Sequence, residues 1–510
     1  MRYLFFLTIY FTLRLFSFFY TPPTPLLAGN WLNTIAAAAI LLLVIYFIWK
    51  KDVRGWLIIA AEILLGGGGG FLSIGPVSLR TCLLAASLII FFGQLIKKGG
   101  GLLRVIPAKA GIQTTAATSE KWIPVYTGMT IFVLILWAWV SAKIGFGHGH
   151  DARLVFADFV PYLFFLYYFP LRELWGEGKF RLTCFQMLIA AIIGNAIFTL
   201  LTFAGFSSGL FAVQGAYYHW FRDVAGGKIT ALDFNFYRIV LNEHLLLAPL
   251  LLLAIWGVIA RSTFASLSVN SATKQSPGAS NEIASSAFGL LAMTLALFAI
   301  LSVNITRIYI IALLVGLLFL FTRQNWKKWL AVSLVSLACF CLTFTAIHLV
   351  ASRGQSLGWE LFGLRLQSIA SPQIENSALS RIILLPKIWE KIKTAPIFGQ
   401  GLGDTVTAFS PVFKQNTTTP HFDWGWLEIW AEMGAIGLII WLALIVYLFV
   451  LLIKKTALEK PFYLAALGAL LVINITSPAL FHVFGVILLV SLFTLNRVSA
   501  AQSLAPSRIL

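Results

Sequence analysis

Runs of about 18–22 apolar residues recur through most of this chain, and they limit its fold more than any other feature. Each is long enough to cross the hydrocarbon core of a bilayer as one helix. About fourteen can be read, at residues 3–20, 31–49, 56–74, 79–96, 130–146, 154–171, 182–205, 244–260, 286–303, 305–321, 329–351, 434–453, 462–476 and 479–495. A soluble domain of 510 residues has no need of 59% hydrophobic residues with only 11% charged. In lipid the backbone must satisfy its own hydrogen bonds, so the spans are helices. The expected fold is an all-α integral membrane protein, a polytopic bundle of about 12–14 transmembrane helices. The run at 3–20 contains Arg14 and is followed by TPPTP rather than a small-residue cleavage site, so it reads as a retained first helix.

The formal net charge of +18 fits this membrane reading. With the N-terminus inside, the basic clusters KKDVR, RELWGEGKFR, RQNWKK and KKTALEK fall on cytoplasmic loops, and about 22 of the 37 Lys and Arg residues lie inside. No basic patch is interleaved with aromatics in the way nucleic acid requires, so no nucleic-acid partner is expected. The division that follows is 1–96, N-terminal spans; 97–129, a cytoplasmic loop; 130–351, central spans with an outer loop at 206–243; 352–433, a large outer loop; 434–510, C-terminal spans and tail. Cys82, Cys184, Cys339 and Cys341 lie in apolar runs, lack metal-ligand spacing and read as packing residues.

Three segments break the helical rhythm. Residues 97–130 are rich in Gly, Pro, Ala and Thr; VIPAKAGIQ followed by WIPVYTGMT resembles the translated product of interspersed bacterial repeat elements, which marks an insertion. Residues 261–285 have the Ser/Asn/Gly/Pro bias of a disordered linker. The loop 352–433 is the longest non-spanning segment, and long loops tend to carry function. Within it, Leu385, Ile388, Trp389 and Ile392 recur at helical spacing, which predicts a short amphipathic helix on the membrane surface, with Pro386 bending it or marking its first turn.

Ionisable residues beside spans single out the chemistry. Arg307, in SVNITRIYIIALL, stands at the outer end of two apolar runs; an intramembrane Arg either serves function or snorkels to the interface. Arg381 opens the amphipathic helix. His421 and Asp423 precede a helix at 426–433 that carries Glu428 and Glu432, with Trp424, Trp426 and Trp430 around them. A His near neutral pKa or a carboxylate in an apolar setting can take a proton from a hydroxyl; the plainer alternative makes Asp423 a helix cap. Arg238, Asn242 and His244 could line a polar cavity, and so could Trp424 and Glu428 as substrate contacts. His148 and His150 in HGHD are a weak metal signal, and His348 and His482 read as packing residues. P-loop, GxSxG and HExxH motifs are missing, so no cofactor and no metal are expected.

Three blocks at these residues resemble the bacterial O-antigen ligase and O-antigen polymerase family. They are SVNITRIYIIALLVGLL, SRIILLPKIWEKIKTAPIFGQGLG and HFDWGWLEIWAEMGAIGLII, together spanning roughly residues 300–453. The resemblance sets Arg307 and Arg381 on the family's arginines, and Pro396, Gly399, Gly401 and Gly403 on its glycine turn. Many members have His-x-His-Asn before the last helix, with the second His as catalytic candidate. Here that position is Asp423, Trp424 replaces the Asn, and His421 matches the first His. Either His421 or Asp423 then takes the basic role, with His421 favoured.

The resemblance implies metal-independent, inverting glycosyl transfer from an undecaprenyl-diphosphate-linked glycan, on the periplasmic side of a bacterial inner membrane. Arg307 and Arg381 would hold the donor pyrophosphate. The acceptor would be lipid A core in a ligase, another repeat unit in a polymerase, or Ser and Thr in a protein O-oligosaccharyltransferase. A transporter or lipid flippase is the alternative of a different class; it predicts internal repeats and midplane polar residues, whereas polar residues here collect at one face.

Overall fold

A computed structural model of the chain describes residues 2–21, 30–97, 116–268, 277–324, 326–410, 414–454 and 460–502. The fold is mostly helical, as the apolar runs dictate. In chain order the elements are α1 (Arg2–Tyr20), α2 (Asn30–Trp49), α3 (Val53–Leu65), β1 (Ser73–Ile74), β2 (Val77–Ser78), α4 (Leu79–Lys97), α5 (Ala116–Gly147), α6 (Ala152–Leu163), α7 (Tyr168–Leu174) and α8 (Gly178–Ser207). Then follow α9 (Ala216–Asp223), β3 (Lys228–Ala231), β4 (Tyr237–Val240), α10 (Leu247–Ser268), α11 (Pro277–Asn304), α12 (Arg307–Leu320) and α13 (Trp326–Ala351). The rest are α14 (Trp359–Ala370), α15 (Asn376–Thr394), β5 (Val406–Ser410), β6 (Gln415–Thr419), α16 (Gly425–Ile453), α17 (Lys460–Ile473) and α18 (Val483–Gln502).

Among the described residues nine segments are long and apolar enough to cross a membrane, and four apolar helices are shorter. The segments Gly178–Ser207 and Asn242–Ile259 form the centre, with 61% and 56% of their most apolar windows inside the protein, whereas Trp326–Ala351 has 17% and lies at the rim. Around this centre α1 packs on α8, α8 on α11, and α12 along α17. Two arginines within apolar helices are paired, as lipid demands. Arg14 reaches Glu243 at 2.8 Å, and Arg80 reaches Glu62 at 2.8 Å.

The structure departs from the sequence expectations at several points. The run 56–74 is not one span: α3 stops at Leu65, because the glycines after it take left-handed conformations at Gly67 and Gly69, and the β1–β2 hairpin follows. The helix α5 begins at Ala116, inside the expected loop 97–129, of which residues 98–115 lie outside the described residues. The expected linker 261–285 is entered by α10 as far as Ser268 and left by α11 from Pro277, a residue suited to a first helical position; 269–276 lie outside the described residues.

The amphipathic helix proves longer, and its apolar face is turned toward protein. In α15, Leu384, Ile388 and Ile392 are buried against Val406, Phe422 and Ala431, while Trp389 stays exposed. Their spacing of four places them on one side, and Pro386 lies within the helix.

The helix α16 is two helical stretches that meet at Gly434, whose φ of 68° and ψ of −176° are open only to glycine. Such a break frees backbone groups at the end of a span, where each needs a partner. The glycine turn supplies them. Gln400 N–H donates to the Ala431 carbonyl at 2.7 Å and Gly401 N–H to Glu432 at 2.9 Å, while Ala435 N–H donates to Pro396 at 2.9 Å. Trp137 Nε1 donates to the remaining carbonyl, Met433, at 2.9 Å. The turn needs Gly399, Gly401 and Gly403 because all three have positive φ.

Candidate functional site

Four arginines from four elements converge. Arg238 comes from β4, where it pairs with Thr230 across the β3–β4 hairpin. Arg307 is the first residue of α12, Arg365 lies in α14, and Arg381 in α15. Glu375, at the N-terminal cap position of α15, supplies a counter-charge. Its Oε1 is 2.5 Å from Arg365 Nη1 and its Oε2 is 3.3 Å from Arg307 Nη2. Arg307 Nη1 donates to Ser368 Oγ, which itself donates to Glu375 Oε2 at 3.2 Å. Burial, then repulsion from Arg365, Arg381 and Arg307, pushes the Arg238 guanidinium down to about 10, with Glu375 opposing. Burial also lowers Arg365, again opposed by Glu375. The Nε groups of Arg238 and Arg381 are buried without a hydrogen-bond partner. Guanidiniums thus outnumber the carboxylates that meet them, an arrangement that can hold an anion.

What aims Arg307 lies behind it. Ile305 has a positive φ of 41° in the turn between α11 and α12. Asn304 in that turn bonds His244 Nδ1 at 2.7 Å, and Thr306 Oγ1 donates to Asn304 Oδ1. Leu241 N–H also donates to His244 Nδ1 at 3.2 Å, so that nitrogen is an acceptor and Nε2 carries the proton, toward Asn195 and Thr199. His244 is therefore a buried clamp on the turn. Asn242 packs against Gly68 and Gly226.

The arginines meet a second group through α15. Arg381 Nε lies 4.0 Å from Asp423 Oδ2, and the Trp424 indole donates to the Arg381 carbonyl at 3.0 Å. Asp423 has a positive φ of 56°, which an Asp tolerates better than most residues. Two residues earlier, His421 turns Nδ1 toward Glu428 Oε1 at 3.8 Å; its side chain is 60% exposed while that of Glu428 is 2% exposed. Glu428 Oε2 also accepts the Phe422 N–H at 3.2 Å. The Glu428 carboxylate facing Nδ1 is the main cause that raises the His421 pKa above its ordinary value; burial opposes, the charge of Asp158 assists, and Lys228 on β3 counters. Beneath this pair Asp158 accepts the Gly403 N–H at 3.0 Å.

The structure thus brings Arg238, Arg307 and Arg381 into one cluster, and His421, Asp423, Trp424 and Glu428 into its neighbour. Asn242 and His244 stand behind the cluster and act on it through the backbone. His148 Nδ1 and His150 Nδ1 donate to the Gln400 and Leu402 carbonyls of the glycine turn at 2.8 and 2.9 Å. His348 stacks on Phe236, and the four cysteines are free. Among the described residues no three or more His, Cys, Asp or Glu side chains form a metal-holding group.

Sequence reasoning missed Arg365, Glu375 and Asp158. Asp158 had a signal, since a carboxylate inside an apolar run is a functional candidate by default. Arg365 and Glu375 had none, because they sit in a polar stretch where single charges are ordinary.

With this geometry in view, the chain can be set against known proteins. Residues 288–442 match a family model described as O-antigen ligase, Wzy_C, a family of membrane glycan-transferring enzymes. The match runs from within α11 into α16 and takes in Arg307, Arg365, Glu375, Arg381, His421, Asp423 and Glu428, but not Arg238 or Asp158. No curated protein and no solved structure matches the chain.

Proposed function

From an O-antigen ligase family domain at residues 288–442 of a multi-pass membrane protein, we propose that the chain transfers a glycan from undecaprenyl diphosphate to a sugar hydroxyl on the periplasmic face of a bacterial inner membrane. The observation that carries this is the 4.0 Å approach of Arg381 to Asp423. It joins an anion-binding cluster to a histidine–carboxylate pair in a single site. Sidedness follows from charge: α12 and α16 each begin at this site and end at basic connections, Arg323, Lys327 and Lys328 in one case and Lys454 in the other.

The acceptor oxygen attacks the donor's anomeric carbon on the face opposite the diphosphate. The new C–O bond forms as the bond to the diphosphate breaks, so configuration inverts. The bonding pair leaves on the diphosphate, against the guanidiniums of Arg238, Arg307, Arg365 and Arg381. Arginine forks can neutralise such a group without a metal. The hydroxyl proton passes to His421 Nε2, because Nδ1 faces Glu428. Glu428 then stabilises the imidazolium. Its burial suits it to orient the base rather than to touch substrate. Asp423, beside Arg381, is the second candidate base. Trp424 ties α15 to α16 and offers an aromatic face to a sugar.

The test is incubation of purified protein with undecaprenyl-diphosphate glycan and separate acceptors, with and without chelator. Release of undecaprenyl diphosphate with glycosylated lipid A core supports a ligase. Extension of a repeat unit identifies a polymerase, and a modified protein Ser or Thr identifies a protein O-oligosaccharyltransferase. A strict metal requirement would sink the arginine mechanism. If Arg307→Ala stopped donor from reaching the periplasm, a transporter would gain.

A further inference from the structure

The arginine cluster carries its own anion. Glu375 occupies the cap position of α15 with extended backbone, φ −129° and ψ 125°, yet its side chain makes no cap bond. Both oxygens turn to the arginines and to Ser368 instead. A carboxylate between two guanidiniums takes up the fork geometry that a phosphate also uses. Its reach is incomplete: the buried Nε groups of Arg238 and Arg381 make no hydrogen bond. Glu375 is also free to leave. Its side chain is 22% exposed, it hangs on the short connection between α14 and α15, and no helix cap is lost when it swings away.

We propose that Glu375 is a resident anion, which holds Arg307 and Arg365 before the donor binds and yields them to the lipid diphosphate. This rests on the reading of the cluster as the diphosphate site. A single phosphate that displaces Glu375 exchanges one anion for another at the same two arginines and gains little. A diphosphate also engages Arg238 and Arg381, which Glu375 does not reach. The cost of displacing Glu375 is common to both ligands, and only the diphosphate makes further contacts that offset it, so lone phosphate anions are kept off the arginines.

Titration of the purified full-length protein in nanodiscs tests this, with inorganic pyrophosphate and orthophosphate as probes. Glu375→Gln keeps the shape and removes the competing charge. Both probes are expected to bind more tightly by a similar factor, on the order of tenfold, with pyrophosphate remaining the tighter ligand. Unchanged or weaker binding of either probe overturns the proposal, since a permanent brace would make the variant bind worse. Should Glu375→Gln fail to fold, Glu375→Asp keeps the charge but is too short to bridge both arginines; it is expected to tighten both probes by a smaller factor, and weaker binding overturns the proposal equally. Arg307→Ala separates the two layers. If it leaves pyrophosphate binding intact, the diphosphate site itself is wrong. If it abolishes binding while Glu375→Gln fails to tighten it, only the resident anion is wrong.

Discussion

Replacing Arg307 by Lys keeps the charge and removes the fork, which makes it the sharpest probe of the site. Arg307 uses its two terminal nitrogens in different directions, Nη1 to Ser368 Oγ and Nη2 to Glu375 at 3.3 Å. Its side chain is 13% exposed, so screening by water is weak. One ammonium cannot hold the Ser368 side and an anion at the Glu375 position together. The lysine variant therefore gives up about one charge-assisted hydrogen bond, worth roughly 1.5–3 kcal/mol. At about 1.4 kcal/mol per factor of ten, affinity for undecaprenyl diphosphate falls by about 10- to 150-fold. The assay pairs the dissociation constant in nanodiscs with kcat/KM for glycan transfer, and follows thermal unfolding alongside. Affinity and turnover within about twofold of the parent, at unchanged stability, would refute the claim that a two-pronged arginine holds the leaving group.

Glu428→Gln tests the base. On the proposed reading, with neutral His421 as the base, its raised pKa places the acid limb of the rate profile above the ordinary histidine value of 6.5. Loss of the Glu428 charge moves that limb to lower pH; a limb that stays put assigns the base to another group. The same pairing stabilises the fold below the unfolded histidine pKa, and that contribution is lost as pH rises through the folded value; denaturation midpoints against pH should show this slope flatten in Glu428→Gln. His421→Ala should lower kcat by about 10²- to 10⁴-fold with donor binding kept, and if Asp423→Ala alone did this, Asp423 would be the base. Gly434→Ala puts a Cβ against the Ile397 carbonyl in a glycine-only conformation, and should cost about 1–3 kcal/mol in strain or more; Gly363→Ala in α14, where a Cβ meets nothing within 4 Å, is the matched control expected to be neutral or stabilising in chemical denaturation.

Much of this site was legible before folding. The helical spacing of Leu385, Ile388, Trp389 and Ile392 in RIILLPKIWEKIK predicted a helix, since that pattern needs no tertiary information. It could not say what the apolar face would meet, and α15 buries Leu384, Ile388 and Ile392 on protein. The glycines of PIFGQGLG were recognisable as a turn through the family resemblance, and Gly434 lay in the next motif. Their partnership was not, because each answers hydrogen bonds freed by the other, and such complementarity exists only once both backbones are placed. Arg307 and Arg381 stood out by location and motif, whereas Arg365 and Glu375 gained meaning only from 2.5 and 3.3 Å approaches between separate elements.

By itself, the sequence determined the membrane class, the run of helices and the stretch that carries the family's motifs. Apolar length and local charge set those, and both are properties of contiguous residues. The tertiary structure alone decided which charges share one space. It turned His421 toward Glu428 and Asp423 toward Arg381, and it set Glu375 against Arg307 and Arg365. Electrostatic interactions depend on separation and burial in space, and neither can be read from position along the chain.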